Sequence, residues 1–156
     1  MKHFVWVGLF FFCLSSQAKN LDGRFAAGFA YQKFTQDAAI SFKIFHNPFL
    51  ASNYLFSLNT ENNSFLFGGR VLRNVLLEEN LNLYLGLAGL ILSQNGTGGT
   101  ETGLEIDALL GSEFFLAGLP NLGLSFEVGV GLRSIRTTSF RTMGGGFASG
   151  GIHYYF

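Results

Sequence analysis

Apolar and non-apolar residues alternate with period two along Leu122–Arg133. Leu122, Leu124, Phe126, Val128, Val130 and Leu132 form one set; Gly123, Ser125, Glu127, Gly129, Gly131 and Arg133 form the other. A strand sends the two sets to opposite faces, whereas a helix mixes them on every side. Runs rich in glycine and β-branched residues are also poor helix formers. The same split recurs in Arg24–Tyr31, where Phe25, Ala27, Phe29 and Tyr31 oppose Arg24, Ala26, Gly28 and Ala30. Leu81, Leu83, Leu85 and Leu87 oppose Asn82, Tyr84, Gly86 and Ala88. Across Gly103–Leu110, Leu104, Ile106, Ala108 and Leu110 oppose Gly103, Glu105, Asp107 and Leu109. Weaker alternation runs through Ala38–Phe45, Leu50–Leu58 and Ser64–Leu72. A last segment, Phe147–Phe156, places Ala148, Gly150, Ile152, Tyr154 and Phe156 on one face. The pattern predicts an all-β chain of about eight strands.

The connections predict an up-and-down meander. His46-Asn47-Pro48 and Gly118-Leu119-Pro120-Asn121 carry tight-turn chemistry, and Arg73–Asn80 reads as a longer turn at the same end. Asn59–Asn63, Ser93–Thr100 and Ser134–Met143 read as polar loops at the opposite end, with Thr35–Asp37 a very short one beside them. Ser93–Thr100 has the glycines of a phosphate-cradling loop but lacks its lysine, so an exposed loop is the better reading.

Alternation alone fits a soluble barrel as well as a membrane one, since each has one apolar and one polar face. Composition separates them. A soluble barrel needs a charged exterior, yet only 13% of residues are charged, while 16% are aromatic and 21 are glycine. The non-apolar face is mostly small residues, which suit a narrow interior. Its charges, Arg24, Lys43, Arg70, Glu105, Asp107, Glu113, Glu127 and Arg133, are of both signs, as a buried network of paired ions requires. On the apolar face the aromatics fall near segment ends. Phe25, Phe49, Phe114, Tyr154 and Phe156 would ring one side, and Tyr31, Phe56 and Phe65 the other, as in the two girdles of a membrane barrel. The expected fold is a closed antiparallel transmembrane β-barrel with the turns facing the periplasm.

Residues Met1–Ala18 read as a cleaved secretory signal peptide: Lys2 and His3, an apolar run Phe4–Leu14, then Ser16-Gln17-Ala18 before the cut. The run is about half the ~20 residues a membrane helix needs. Cys13 follows Phe10-Phe11-Phe12, the wrong neighbours for a lipoprotein cysteine. One domain, the barrel, is expected over residues 19–156. Cys13 being the only cysteine, the mature chain has no thiol for disulfides, metal sites or nucleophilic catalysis. The formal net charge of +0 argues against a nucleic-acid partner.

Ser149-Gly150-Gly151-Ile152-His153-Tyr154-Tyr155-Phe156 resembles the terminal signal by which outer-membrane barrels engage their assembly machinery. Ser149, Gly151, Tyr154 and Phe156 stand at its polar, glycine, aromatic and final positions. With the leader and the alternating segments, the chain is similar to the small eight-stranded OmpA/OmpX-type barrels. That resemblance implies an integral outer-membrane location, lipid and lipopolysaccharide as surroundings, and the barrel assembly machinery as a partner; a monomer is the expected state.

Enzymes of this size class act on lipid A and would need a histidine with a serine and an acid near the outer leaflet. Of the two histidines beyond the leader, His46 falls at a periplasmic turn and His153 three residues from Phe156. Pairs such as Glu105 with Asp107, or Glu113 with Glu127, read better as ion partners for Arg24, Arg70 and Arg133 than as catalytic carboxylates. No metal-ligand cluster or cofactor motif stands out. Eight strands enclose an interior that side chains just fill, which disfavours an open pore. The leading expectation is a non-enzymatic barrel for envelope integrity or surface interaction. The alternatives are passage of small or apolar solutes and, less favoured, a lipid A-modifying enzyme. Arg133, Arg136 and Arg141, with Phe140 among them, form a candidate lipopolysaccharide contact at the last loop, since arginine forks match phosphate.

Overall fold

A computed structural model describes residues 21–32, 37–61, 63–96, 99–142 and 149–156. The expected leader, residues 1–18, lies outside the described residues. The described chain is all strand: β1 (Phe25–Gln32), β2 (Asp37–Asn47), β3 (Leu50–Asn59), β4 (Ser64–Leu77), β5 (Leu81–Gly96), β6 (Gly99–Leu116), β7 (Leu119–Ile135), β8 (Thr137–Thr142) and β9 (Ser149–Tyr155). Every pairing is antiparallel, successive strands from β1 to β7 are neighbours, and β9 bridges β7 and β1. The sheet therefore closes on itself.

The last wall position is shared. β7 pairs with β9 over Leu122–Glu127 and with β8 over Val130–Ile135. Both partners lie on the same side of β7, so the ring has eight positions. The ladder from Phe29 steps through Ile40, Phe56, Phe67, Ile91 and Leu104 to Ser134; the other way, through Ile152, it reaches Leu124. One circuit displaces the register by 134 − 124 = 10 residues, which for eight strands sets a tilt of about 40°.

Strand pairing runs farther than hydrophobic alternation. β4 continues to Leu77, so the turn expected over Arg73–Asn80 shrinks to Glu78–Asn80, with a bulge between Asn74 and Leu76 absorbing the irregular pattern. The polar segment Ser93–Thr100 is mostly hairpin, since β5 reaches Gly96 and β6 starts at Gly99. Likewise Ser134–Met143 is largely the end of β7 and all of β8. Polar residues such as Thr100, Thr102, Thr137 and Thr138 hold a ladder without any apolar face to bury. At the end that holds Glu78–Asn80, the other two turns are two residues each, Pro48–Phe49 and Ala117–Gly118, and Gly118 supplies the φ of 88° its turn needs. Of the expected Thr35–Asp37 loop, Asp37 begins β2 and residues 35–36 lie outside the described residues.

The faces divide as the alternation requires. Large apolar side chains cover the outside in continuous rows, Phe29, Leu87, Leu104 and Ile106 among the most exposed. Soluble monomers do not present apolar surface on that scale. All eight girdle aromatics stand on this outer face. Inside, one apolar cluster closes the turn end with Leu21, Phe45, Leu72, Phe115 and Tyr155, and another the loop end with Leu55, Leu66, Leu90 and Leu92. Leu21 precedes β1 and is fully buried, a plug residue that no alternation marks.

Glycine sets the closing seam. A Cβ on Gly28 would run into the backbone carbonyl of Ile152 on β9. Gly28→Val should therefore cost at least the ~1–3 kcal/mol of an overpacked core and weaken the β1–β9 seam. Urea unfolding and heat-modifiable gel mobility are the checks; wild-type stability and mobility would show that the seam tolerates a side chain.

Candidate functional site

The inward rows of β2, β4, β6, β7 and β9 bring charge to the centre of the barrel. Lys43, Arg70, Glu105, Asp107, Glu113, Glu127, Arg133 and His153 are all buried there, between the two apolar clusters. Three pairs form, two across the lumen and one, Arg133 with Glu105, between register partners on β7 and β6. Lys43 Nζ donates to Glu113 Oε1 at 2.9 Å, Arg70 Nη1 to Glu127 Oε2 at 2.7 Å, and Arg133 Nε to Glu105 Oε2. Neutral donors complete the acids: Tyr155 Oη reaches Glu113 at 2.7 Å, Tyr84 Oη reaches Glu127 at 2.9 Å, and Ser149 Oγ reaches Glu127 at 3.2 Å. Asp107 pairs with no base among the described residues and lies against Gly131, where a Cβ would collide with it.

Arg24 departs from the expectation of a lumen ion partner. Its position before β1 is at the turn end, where Nε donates to the Phe156 carbonyl at 3.2 Å and Nη2 to the Tyr155 carbonyl at 3.2 Å and Asn121 Oδ1 at 2.9 Å. It clasps the end of β9 to the start of β1. Phe156 adds a backbone bond to Phe25 at 2.9 Å and a stacked contact with the Phe25 ring. Of the terminal-signal residues, Tyr154 and Phe156 are exposed on the outer face, while Gly151 is half-buried on the inner row beside Ser125.

One constellation escaped the sequence. Ser41 Oγ lies 2.8 Å from His153 Nε2, and His153 Nδ1 lies 3.9 Å from Glu113 Oε1. Serine, histidine and acid thus meet in the order of a hydrolase triad, from strands β2, β9 and β6. The surroundings do not serve that chemistry. Ser41 is 0% exposed and already accepts a hydrogen bond from Asn53 Nδ2 at 2.8 Å. Glu113 is engaged by Lys43 and Tyr155, and 3.9 Å is too long to orient the imidazole. The register linking these strands sets the meeting, and no local motif could have announced it. His46 is exposed at the turn end, 2.8 Å from Ser52 Oγ.

The candidate arginines separate. Arg133 is on the inner face, buried and bound to Glu105, rather than on the outer surface with Phe140. Its place on the inner row of β7 sets that. Arg136, at the β7–β8 turn with a φ of 56°, is 58% exposed and reaches Glu101 at 2.8 Å. Arg141 pairs with Gly131, and its side chain lies outside the described residues. Phe140 stands on the outer face beside Leu132. Gln94, Glu101, Arg133, Ile135, Arg136, Thr137 and Ser139 line a polar cavity of about 330 Å³ at the loop-end mouth.

No protein-family model and no curated protein matches the chain. Among solved structures, the crystal structure of Neisserial surface protein A (NspA) is similar, with a TM-score of 0.40 and 16% identity over 85% of this chain and 90% of that one.

The lumen pairs generate a test. Lys43→Met alone leaves Glu113 buried without its cation and should cost about 3–5 kcal/mol. Adding Glu113→Leu removes the stranded charge and should recover most of it. Urea unfolding in detergent measures both, and a double variant as unstable as the single would show that the pair is not the relevant unit.

Proposed function

We propose that the chain is a non-enzymatic integral outer-membrane barrel of the OmpA/OmpX type, monomeric, and serving envelope integrity or surface interaction. One observation carries this reading: the apolar face points outward all around a closed ring whose interior is plugged at both ends. Of all sheets, hydrocarbon tolerates only such a closed one, because closure leaves no ladder edge unsatisfied. The outer aromatics supply the interfacial girdles. Passage of solutes is disfavoured, since Leu21, Phe45 and Phe115 obstruct one end and Leu55, Leu66 and Leu90 the other. Catalysis is disfavoured because the single serine–histidine–acid meeting among the described residues is enclosed. Gly151, Tyr154 and Phe156 would engage the assembly machinery, with Phe156 also sealing the seam through its contacts to Phe25 and Arg24.

The protein should fractionate with outer membranes and give no stepwise openings in planar lipid bilayers. Recovery in the soluble periplasm would sink the membrane reading, and regular conductance steps would sink the plugged-lumen reading. Deleting Phe156 should slow assembly; assembly at the wild-type rate would remove its role as a signal.

A further inference from the structure

The barrel is plugged, yet its loop-end mouth is hollow. The ladder between β6 and β7 stops at Leu104 and Ser134. Above that pair the β5–β6 and β7–β8 hairpins continue separately, and the cavity of about 330 Å³ lies between them. It is blind. Ile135 forms part of its lining and packs on the cluster of Leu90, Leu92, Leu66 and Leu55 below. Gly103 makes room for that floor, since a Cβ there would collide with Ile135. A blind cup at a mouth does not conduct; it holds.

Its chemistry is that of an anionic, hydroxyl-bearing ligand. Two arginines line one space, Arg133 as part of a nearly buried wall, fixed by Glu105, and Arg136 at the exposed rim. Arginine forks match phosphate and carboxylate oxygens. Gln94, Thr137 and Ser139 add amide and hydroxyl groups that both donate and accept. Glu101 is the counter-anion that engages Arg136 across the cup, and its side chain is only 16% exposed. The volume is at the lower end of small-ligand sites, enough for one sugar unit and not an oligosaccharide.

We infer that this cup binds a single anionic saccharide unit, a sugar bearing phosphate or carboxylate, by displacing Glu101 from Arg136. The inference rests on the proposed outer-membrane setting, with the loop end facing outward, and gives its surface role a ligand class. A sugar phosphate could reach the cup free in solution or as the head of a lipopolysaccharide.

The test is titration of the folded, detergent-solubilised protein with glucosamine 1-phosphate in one arm and vesicles containing lipopolysaccharide in the other. Binding in the first arm identifies a soluble source as sufficient; binding only in the second assigns the lipid-borne one. Arg136→Gln should weaken binding about ten-fold, and Ser139→Phe, which fills the cup, should abolish it. Glu101→Gln should tighten binding, because it releases Arg136 from its internal partner. Flat titrations in both arms, or binding unchanged by these substitutions, would overturn the inference. Heat-modifiable mobility of each variant reports the barrel separately, so loss of the cup and failure of the barrel reading are distinguishable.

Discussion

A wall with an apolar outer face cannot leave a strand edge open, since in hydrocarbon an unpaired backbone N–H or C=O costs several kcal/mol. The β1–β9 seam is where that demand is met. Phe29 must find Ile152 and Ala26 must find Tyr155, at the far end of the described chain. Gly28 lets the backbones approach, Arg24 binds the carbonyls that end β9, and Phe25 stacks on Phe156. Once the seam closes with a shear of ten residues, the positions of all inward side chains follow.

Those inward positions explain the charges. Lys43, Arg70 and Arg133 stand on β2, β4 and β7, and their acids stand across the lumen or on the neighbouring strand. Buried pairs of this kind add little net stability, but breaking one strands a charge. They therefore favour a single register, because a one-residue slip would carry each charge to the apolar outer face. The layers above and below, Leu55 with Leu90 and Phe45 with Phe115, fill the space the ions leave. The lumen is accordingly a packed core, and the hollow is displaced to the mouth.

How much of this was legible depends on distance along the chain. Strand faces were readable because period two is local: Leu122–Arg133 and Gly103–Leu110 fall on the predicted sides throughout their lengths. The buried charges were readable too, apart from Arg24, whose row places it at the turn end beyond the lumen layer. The extents of β5, β6 and β8 were not, because a polar hairpin such as Gln94–Glu101 holds its ladder through backbone bonds and leaves no hydrophobic trace. Nor were Leu21 as a plug, the Ser41–His153–Glu113 meeting, or the cup. Each depends on residues far apart in sequence that only the ring's register brings together.

The central claim is that one face of each strand meets lipid and the other an enclosed core. It is tested most directly by a nitroxide scan along β7 from Ser125 to Leu132 in the reconstituted protein. Single cysteines can be introduced cleanly, as Cys13 is the chain's only cysteine and lies in the expected leader. The account predicts alternation. Labels at positions 126, 128, 130 and 132 should collide with lipid-dissolved oxygen, and labels at 125, 127, 129 and 131 should be immobile and shielded. Labels on the even positions that collide instead with a water-soluble relaxant would contradict it.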